Sequence, residues 1–211
     1  MKKPLVVILA GGIGKSFQPL SINKTILPIM GKPVLQHIIE MVEQSGFHQA
    51  LVVTNSENEA WLSSYQPFNI TIQTKVQDKP LGMGDALLQV EQEIDGNPIL
   101  VMNAVDFIEP TFFKKLYQST FDSYAFITGM KTDSYVPTGY LCIRDGNVKE
   151  IVEKPDKGKE PSNFVNLVFH YFSEPQQFIQ ILKATPAGDD HYEKALSQLM
   201  SANEVKVVMY D

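Results

Sequence analysis

The sequence predicts an α/β fold: a three-layer α/β/α sandwich around a mostly parallel sheet, with an antiparallel hairpin inserted after its middle. Three observations predict it. Through residue 130, apolar runs of strand length alternate with amphipathic stretches of helix length, the pattern of parallel strands joined by crossover helices. Beyond residue 135, two strand-like runs are separated only by Asp145-Gly146, which supplies the positive φ of a tight hairpin turn. The length of 211 residues, 44% of them hydrophobic, is that of a single domain covering residues 1–211.

The first strand is Leu5–Ala10. Met1-Lys2-Lys3 ahead of it faintly resembles a signal peptide, but the apolar run is short and Gly11-Gly12-Ile13-Gly14 stands where a cleavage site would be. A buried strand is the better reading. Val34, Leu35, Ile38, Ile39 and Val42 line one face of a helix, and Gly46 lies just past its end. Ala50–Thr54 is the second strand. Ser56 with Glu59 reads as a capping box opening a helix through Trp61 and Leu62. Ile70–Val76 is the third strand, and Ala86, Leu87, Val90 and Ile94 form a third helical stripe. Pro98–Asn103, a helix around Phe112, Phe113 and Leu116, and Tyr124–Met130 follow. The hairpin strands are Tyr140–Arg144 and Val148–Val152. Phe164–Phe172 is another strand, helices cover about 175–184 and 190–201, and Val205–Tyr210 is the last strand. The chain stops directly after it, as a domain truncated at the C-terminus would.

Composition excludes several classes. With 18 basic against 24 acidic residues and a net charge of -6, the chain is not built to grip nucleic acid through its phosphates. A small phosphorylated ligand held by a few lysines remains open. Arg144 is the only arginine, so a bidentate guanidinium has one candidate. The single cysteine, Cys142, allows no internal disulfide and no CxxC zinc site, which fits a reducing, cytoplasmic compartment. No apolar run approaches the ~18–20 residues of a membrane span. His37, His48, His170 and His191 show no metal-ligand spacing and read as core or surface residues.

The strand at Leu5 runs into a glycine-rich turn, LAGGIGKS over residues 9–16. Glycines there let backbone N–H groups approach an anion closely. A P-loop needs glycine where Leu9 stands, and its phosphate site requires a helix starting at the Lys-Ser. Pro19 falls in the first turns of that helix, where it removes a donor and clashes, at a cost of ~3 kcal/mol or more. A deviant P-loop ATPase is therefore the distant reading.

Residues 9–33, LAGGIGKSFQPLSINKTILPIMGKP, resemble the signature of sugar-phosphate nucleotidylyltransferases. The likeness continues in order: Gln77 with Pro80–Leu87, the strand Ile99–Asp106, Thr138-Gly139-Tyr140, Val152-Glu153-Lys154-Pro155, and Ser162–Asn166. It implies a Rossmann-like (GT-A-like) sheet and a single nucleotidyltransferase-like domain. The activity it implies is nucleotidyl transfer from a nucleoside triphosphate to a sugar 1-phosphate, giving a nucleotide sugar and pyrophosphate. The implied partners are those two substrates, with neither nucleic acid nor membrane, and a homo-oligomer is compatible with it.

By the same resemblance, Leu9, Ala10, Gly11, Gly12, Gly14, Gln77 and Gly82 would bind the nucleotide. Lys24 and Lys15 would be catalytic, neutralising the transferring phosphate. Gly139, Glu153, Lys154 and Asn166 would bind the sugar phosphate, and Asp106 would hold Mg²⁺, which bridges phosphate oxygens and one or two carboxylates in such sites. The sequence departs from the family pattern in five places, one of them a later aspartate, in a W-x-D-I-G-like segment, that would fall beyond Asp211. Ser16 replaces the glycine-loop arginine. Two residues are missing between Ser21 and Lys24. Val105 occupies the usual aspartate position, with Asp106 one residue late. Val168 stands for a sugar-side glycine. The alternative reading is therefore a catalytically weak or inactive relative that binds a nucleotide or nucleotide sugar.

Overall fold

The computed structural model describes residues 3–12, 23–119, 123–188 and 190–210. The chain runs β1 (Leu5–Leu9), a single 3-10 turn (Lys24–Ile26), β2 (Pro28–Ile29), β3 (Lys32–Pro33), α1 (Val34–Gln44), β4 (Gln49–Thr54), α2 (Ser56–Leu62) and β5 (Thr71–Val76). It continues through α3 (Met83–Leu88), α4 (Glu91–Ile94), β6 (Ile99–Asn103), α5 (Pro110–Ser119) and β7 (Ala125–Lys131). The last part is β8 (Gly139–Arg144), β9 (Asn147–Glu153), β10 (Phe164–Phe172), α6 (Pro175–Ala184), α7 (His191–Ala202) and β11 (Val205–Tyr210).

Nine strands form one mixed sheet in the order β5-β4-β1-β6-β10-β7-β11-β9-β8. The first four are parallel, as expected from their alternation with helices. Beyond β6 the expectation of a mostly parallel sheet holds only for the pair β7–β11. There β10 lies antiparallel between β6 and β7, and the β8–β9 hairpin adds further antiparallel pairs. Hydrophobic periodicity marks a strand but not its neighbours. β6 and β7 run in the same direction, yet β10 separates them.

Successive residues of β1 feed two cores, as the pleat requires. Val7 and Leu9 pack with Leu87, Ile94, Phe178, Leu182, Leu196 and Leu199 of α3, α4, α6 and α7. Val6 and Ile8 pack with Leu35, Ile38, Ile39, Phe112, Phe113 and Leu116 of α1 and α5. The five apolar residues that predict α1 are all buried there.

Two local readings are corrected. Asn55, not Ser56, caps α2: its side chain accepts from Asn58 N at 2.9 Å, while Glu59 Oε1 accepts from the Thr74 hydroxyl instead. The helical stripe over residues 86–94 is broken in two at Val90, which sits at φ -115° as the cap of α4. All four stripe residues stay buried, so the core pattern survives the break. Among the described residues, no helix is long and apolar enough to cross a membrane.

Candidate functional site

Four segments leave the carboxyl ends of the parallel strands and are stitched to one another by backbone bonds. Ala10 N donates to Val53 O at 2.7 Å, Gln77 N to Thr54 O at 2.7 Å and Ala104 N to Leu9 O at 3.2 Å. This edge is where open α/β sheets place their ligands. Leu9 and Ala10 are buried and hold the strand end, and Gly11 and Gly12 follow. Gly14, Lys15 and Ser16 lie outside the described residues, as does the departure at Ser16.

Gly11 is a close-approach glycine. A Cβ placed on it would come within 2.5 Å of Gln77 Oε1. Gln77 is 4% exposed, and its Nε2 donates to Gly82 O at 3.2 Å and to Asp85 Oδ2 at 2.6 Å. Both partners only accept, so the amide orientation is fixed. Its hydrogens are spent on the Gly82–Asp85 segment, and Oε1 is the group turned to the glycine turn.

Lys24 is placed by a buried polar cluster. Asn58, fully buried, donates to Ala10 O and to Thr25 Oγ1, both at 2.7 Å. It also accepts from Asn23 Nδ2 at 2.7 Å. Thr25 Oγ1 donates to Asn23 Oδ1 at 2.7 Å. The residues on both sides of Lys24 are thus tied through Asn58 to the Ala10 carbonyl, which fixes the backbone at position 24. Asn58 belongs to none of the motifs above. Its only sequence signal is an amide in the first turn of an amphipathic helix.

Asp106 follows β6, with its N–H donating to Asn103 O at 3.4 Å. Its side chain reaches β10, where Oδ2 accepts from Val168 N at 3.2 Å. The β7–β10 register shifts between Leu167 and His170. This bulge leaves the Val168 amide off the ladder, and Asp106 satisfies it. Thr128 Oγ1 donates to the neighbouring Phe169 O at 3.0 Å. Burial holds the Asp106 carboxyl above the ordinary carboxylate range, and the Val168 N–H opposes that only in part. Among the described residues, no group of three or more His, Cys, Asp or Glu could hold a metal ion. Asp106 is a single carboxylate.

Gly139, Glu153, Lys154 and Asn166 come together across β8, β9 and β10. Gly139 pairs with Glu153 in register. A Cβ on Gly139 would lie 3.0 Å from Glu153 Oε2 and 3.6 Å from Asn166 Cβ, so the missing side chain opens the space between them. Lys154 Nζ is 3.4 Å from Glu153 Oε1. Its backbone sits at φ 45°, an uncommon conformation for a residue with a Cβ, held by Lys154 N donating to Thr138 O at 3.2 Å. Beside Glu153 a cleft of about 480 Å³ runs along α7, lined by Ile151, Thr185, Asp190, Glu193 and Lys194 among others. Burial, with Glu153 and Asp190 nearby, pushes the Glu193 carboxyl up.

This arrangement has one half built from the β1, β5 and β6 ends and another from β8, β9 and β10. The Asp106–Val168 bond joins them. The family model described as nucleotidyl transferase matches residues 5–211. The chain belongs to the nucleotidyl transferase family. A bifunctional protein GlmU from Methanococcus vannielii is 28% identical over 206 residues, covering 94% of this chain and 48% of that protein. A glucose-1-phosphate thymidylyltransferase from Neisseria gonorrhoeae is 27% identical over 192 residues, covering 87% and 66%. A UDP-glucose pyrophosphorylase solved with UDP-glucose superposes with a TM-score of 0.80 at 21% identity, covering 99% of this chain and 90% of that one; at that identity it speaks for the fold. The chain spans about half of the GlmU protein and about two-thirds of the thymidylyltransferase.

Asn58, His170 and Tyr192 stand outside the segments that resemble the nucleotidyl transferase family in sequence. His170, which reads from sequence as an ordinary core or surface histidine, is fully buried and bonded to Asn166.

Proposed function

We propose that this chain transfers a nucleotidyl group from a nucleoside triphosphate to a sugar 1-phosphate. The phosphate oxygen of the sugar attacks the α-phosphorus in line. A new O–Pα bond forms as the bond from Pα to the bridging oxygen breaks, and that oxygen leaves with pyrophosphate. No covalent enzyme intermediate is needed, so the protein contributes positioning and charge stabilisation.

Gly11, Gly12 and Gly14 let the main chain approach the nucleotide, and Lys15 helps neutralise its phosphates. Gln77 and Gly82 meet the base. Lys24, anchored through Asn23 and Thr25, neutralises charge developing on the transferred phosphate. Lys154 grips the sugar phosphate, while Gly139, Glu153 and Asn166 face the sugar.

Mg²⁺ fits Asp106 on one observation. The carboxylate is largely removed from water, one of its oxygens is used by Val168 N, and its pKa is raised by burial; a cation would offset that cost. When bound, magnesium would neutralise triphosphate oxygens, with substrate supplying most of its ligands. Asp106 would be its protein ligand.

The observation that carries the reading is the Asp106–Val168 bond, because it sets the candidate metal carboxylate two residues from Asn166. Incubation of the protein with each nucleoside triphosphate, Mg²⁺ and a panel of sugar 1-phosphates, read as pyrophosphate release, tests it. Turnover with at least one pair supports the reading, and silence across the panel defeats it. The displacement of Asp106 from the usual aspartate position favours the second reading, a relative that binds without turnover. Calorimetry with nucleotide sugars then shows binding where the pyrophosphate assay stays silent.

A further inference from the structure

Asn166 does not stand alone. His170 Nε2 lies 3.0 Å from Asn166 Oδ1, and His170 Nδ1 lies 3.0 Å from the Tyr192 hydroxyl. His170 and Tyr192 stack with ring centroids 5.7 Å apart and planes 21° from parallel. Tyr192 itself packs edge-on to Phe178 at 5.3 Å. Both His170 and Tyr192 are buried, at 0% and 2% exposure. α7 is thereby connected through one imidazole to the residue beside Gly139.

The polarity of this relay follows from the inventory of donors and acceptors. A carbonyl oxygen only accepts, so the nitrogen facing Asn166 Oδ1 carries the hydrogen. In a neutral ring Nδ1 then accepts, and the Tyr192 hydroxyl donates to it. Burial keeps the ring neutral, with its pKa pushed down to about 3, and a hydrogen bond to the Leu167 backbone opposes that only in part. The Asn166 carbonyl is consumed by His170, and its NH2 remains to donate elsewhere.

We propose that His170 and Tyr192 are positioning residues that lock the Asn166 amide, so that Asn166 offers donors and Glu153 offers acceptors on opposite sides of the Gly139 gap to one sugar hydroxyl. A hydroxyl both donates and accepts, so it satisfies both walls, whereas a group that only accepts satisfies Asn166 alone. This rests on the proposed nucleotidyl transfer and deepens it, since it assigns the sugar side a requirement for a neutral hydroxyl. A flipped Asn166 would present its carbonyl beside the Glu153 carboxylate and lose the match. Positions 166 and 170 share a face of the strand, and the bulge between Leu167 and His170 sets His170 opposite Ile127, two residues along the partner strand from the Gly129 that faces Asn166.

The test has a structural arm and a kinetic arm. Nitrogen-15 NMR of the histidine rings in the intact, ligand-free chain reads the tautomer directly. The inference expects a neutral Nε2–H ring for His170 at pH 7; a neutral Nδ1–H ring, or a ring that titrates near pH 6.5, overturns it. In the kinetic arm, His170→Phe keeps the ring stack and removes both hydrogen bonds. It is expected to raise the KM for sugar 1-phosphate about tenfold, the worth of one oriented hydrogen bond, with the KM for nucleoside triphosphate unchanged. Tyr192→Phe is expected to mix the tautomers and raise the same KM less. Asn166→Ala combined with His170→Phe is expected to cost no more than Asn166→Ala alone. Equal loss for both substrates, or additive losses, means a purely structural role and overturns the inference. If His170→Phe does not fold, Tyr192→Phe with unchanged tautomer and KM overturns it. A wild-type chain that neither turns over nor binds UDP-glucose or dTDP-glucose defeats the functional reading, and this inference with it. An active wild type with an unaffected His170→Phe variant defeats this inference alone.

Discussion

Asn58 Nδ2 donates to the carbonyl of Ala10 at 2.7 Å, joining the helix after β4 to the turn after β1 through one fully buried amide. The same nitrogen serves Thr25, and the amide oxygen serves Asn23. Replacing Asn58 strands several buried polar groups at once, each worth about 1–3 kcal/mol when left unpaired. Asn58→Ala is expected to destabilise the chain by about 2–4 kcal/mol in urea unfolding. Because the flanks of Lys24 lose their anchor, pyrophosphate release should also fall in protein that remains folded. Unchanged unfolding midpoints would show that the cluster does not hold the turn.

The parallel half of the fold is legible from sequence because each strand there is a buried apolar run and each helix carries one stripe. The antiparallel half is legible as strands but not as an order, since nothing in Phe164–Phe172 says that it will lie between β6 and β7. The glycine turn, Gln77, Asp106, Glu153 and Asn166 stand in recognisable motifs. Asn58, His170 and Tyr192 do not, because their importance comes from hydrogen bonds between distant segments. His170 lies 22 residues from Tyr192 and Asn58 lies 48 from Ala10. Short-range patterning carries no record of such pairs.

Gly11 tests whether the first turn and Gln77 are mechanically coupled. Ala at position 11 places a Cβ within 2.5 Å of Gln77 Oε1, an overlap that costs about 1–3 kcal/mol in a packed site. The cost should largely disappear in a Gln77→Ala background, where Oε1 is absent. Thermal unfolding of the two single variants and the double variant measures this. Additive losses would show that Gln77 simply moves aside.

Asp106 gives an expectation with a definite sign. Its folded-state pKa is raised by burial, so the folded chain holds this proton more tightly than the unfolded chain does. Its contribution is fully favourable below the ordinary aspartate range and is lost as pH rises through the raised value. Asp106→Asn keeps an acceptor for Val168 N and removes the buried charge. The variant should be more stable than wild type at pH 7, with the difference shrinking as pH falls through the raised value and levelling off below the ordinary aspartate pKa. Its nucleotidyl transfer should fall about 10²–10³-fold, the scale of one lost electrostatic contact. Unfolding curves from pH 4 to 8, together with the pyrophosphate assay, separate the two effects.

Lys154 combines a strained backbone with a candidate binding side chain. Its φ of 45° costs a residue with a Cβ roughly 1–2 kcal/mol relative to glycine, partly offset by glycine's freer unfolded chain. Lys154→Gly should therefore be more stable than Lys154→Ala by about 0.5–1 kcal/mol, while both lose affinity for the sugar 1-phosphate equally. If the glycine variant is the less stable one, the turn at Lys154 is held by its side chain and the strain argument fails.

His170 sets the acid limb of stability. The ring is buried and neutral with a pKa pushed down to about 3, while an unfolded histidine titrates near 6.5. Below pH 6.5 the unfolded chain binds a proton that the folded chain does not, so stability is present above that pH and declines as pH falls. A single such group gives a limiting slope of about 1.4 kcal/mol per pH unit. Tyr192 stacks on this ring, its own hydroxyl held above its usual range by burial, and Glu193 is the next residue along α7. Neither supplies a negative charge that would stabilise the imidazolium, since Tyr192 stays neutral and Glu193 is itself pushed toward its protonated form, and the hydrogen bond to the Leu167 backbone, which favours the charged ring, is outweighed by burial. Urea unfolding of wild type and His170→Gln between pH 4.5 and 7.5 should show a steep decline below pH 6.5 for wild type and a shallower one for the variant. Parallel curves would mean that His170 is protonated in the folded state.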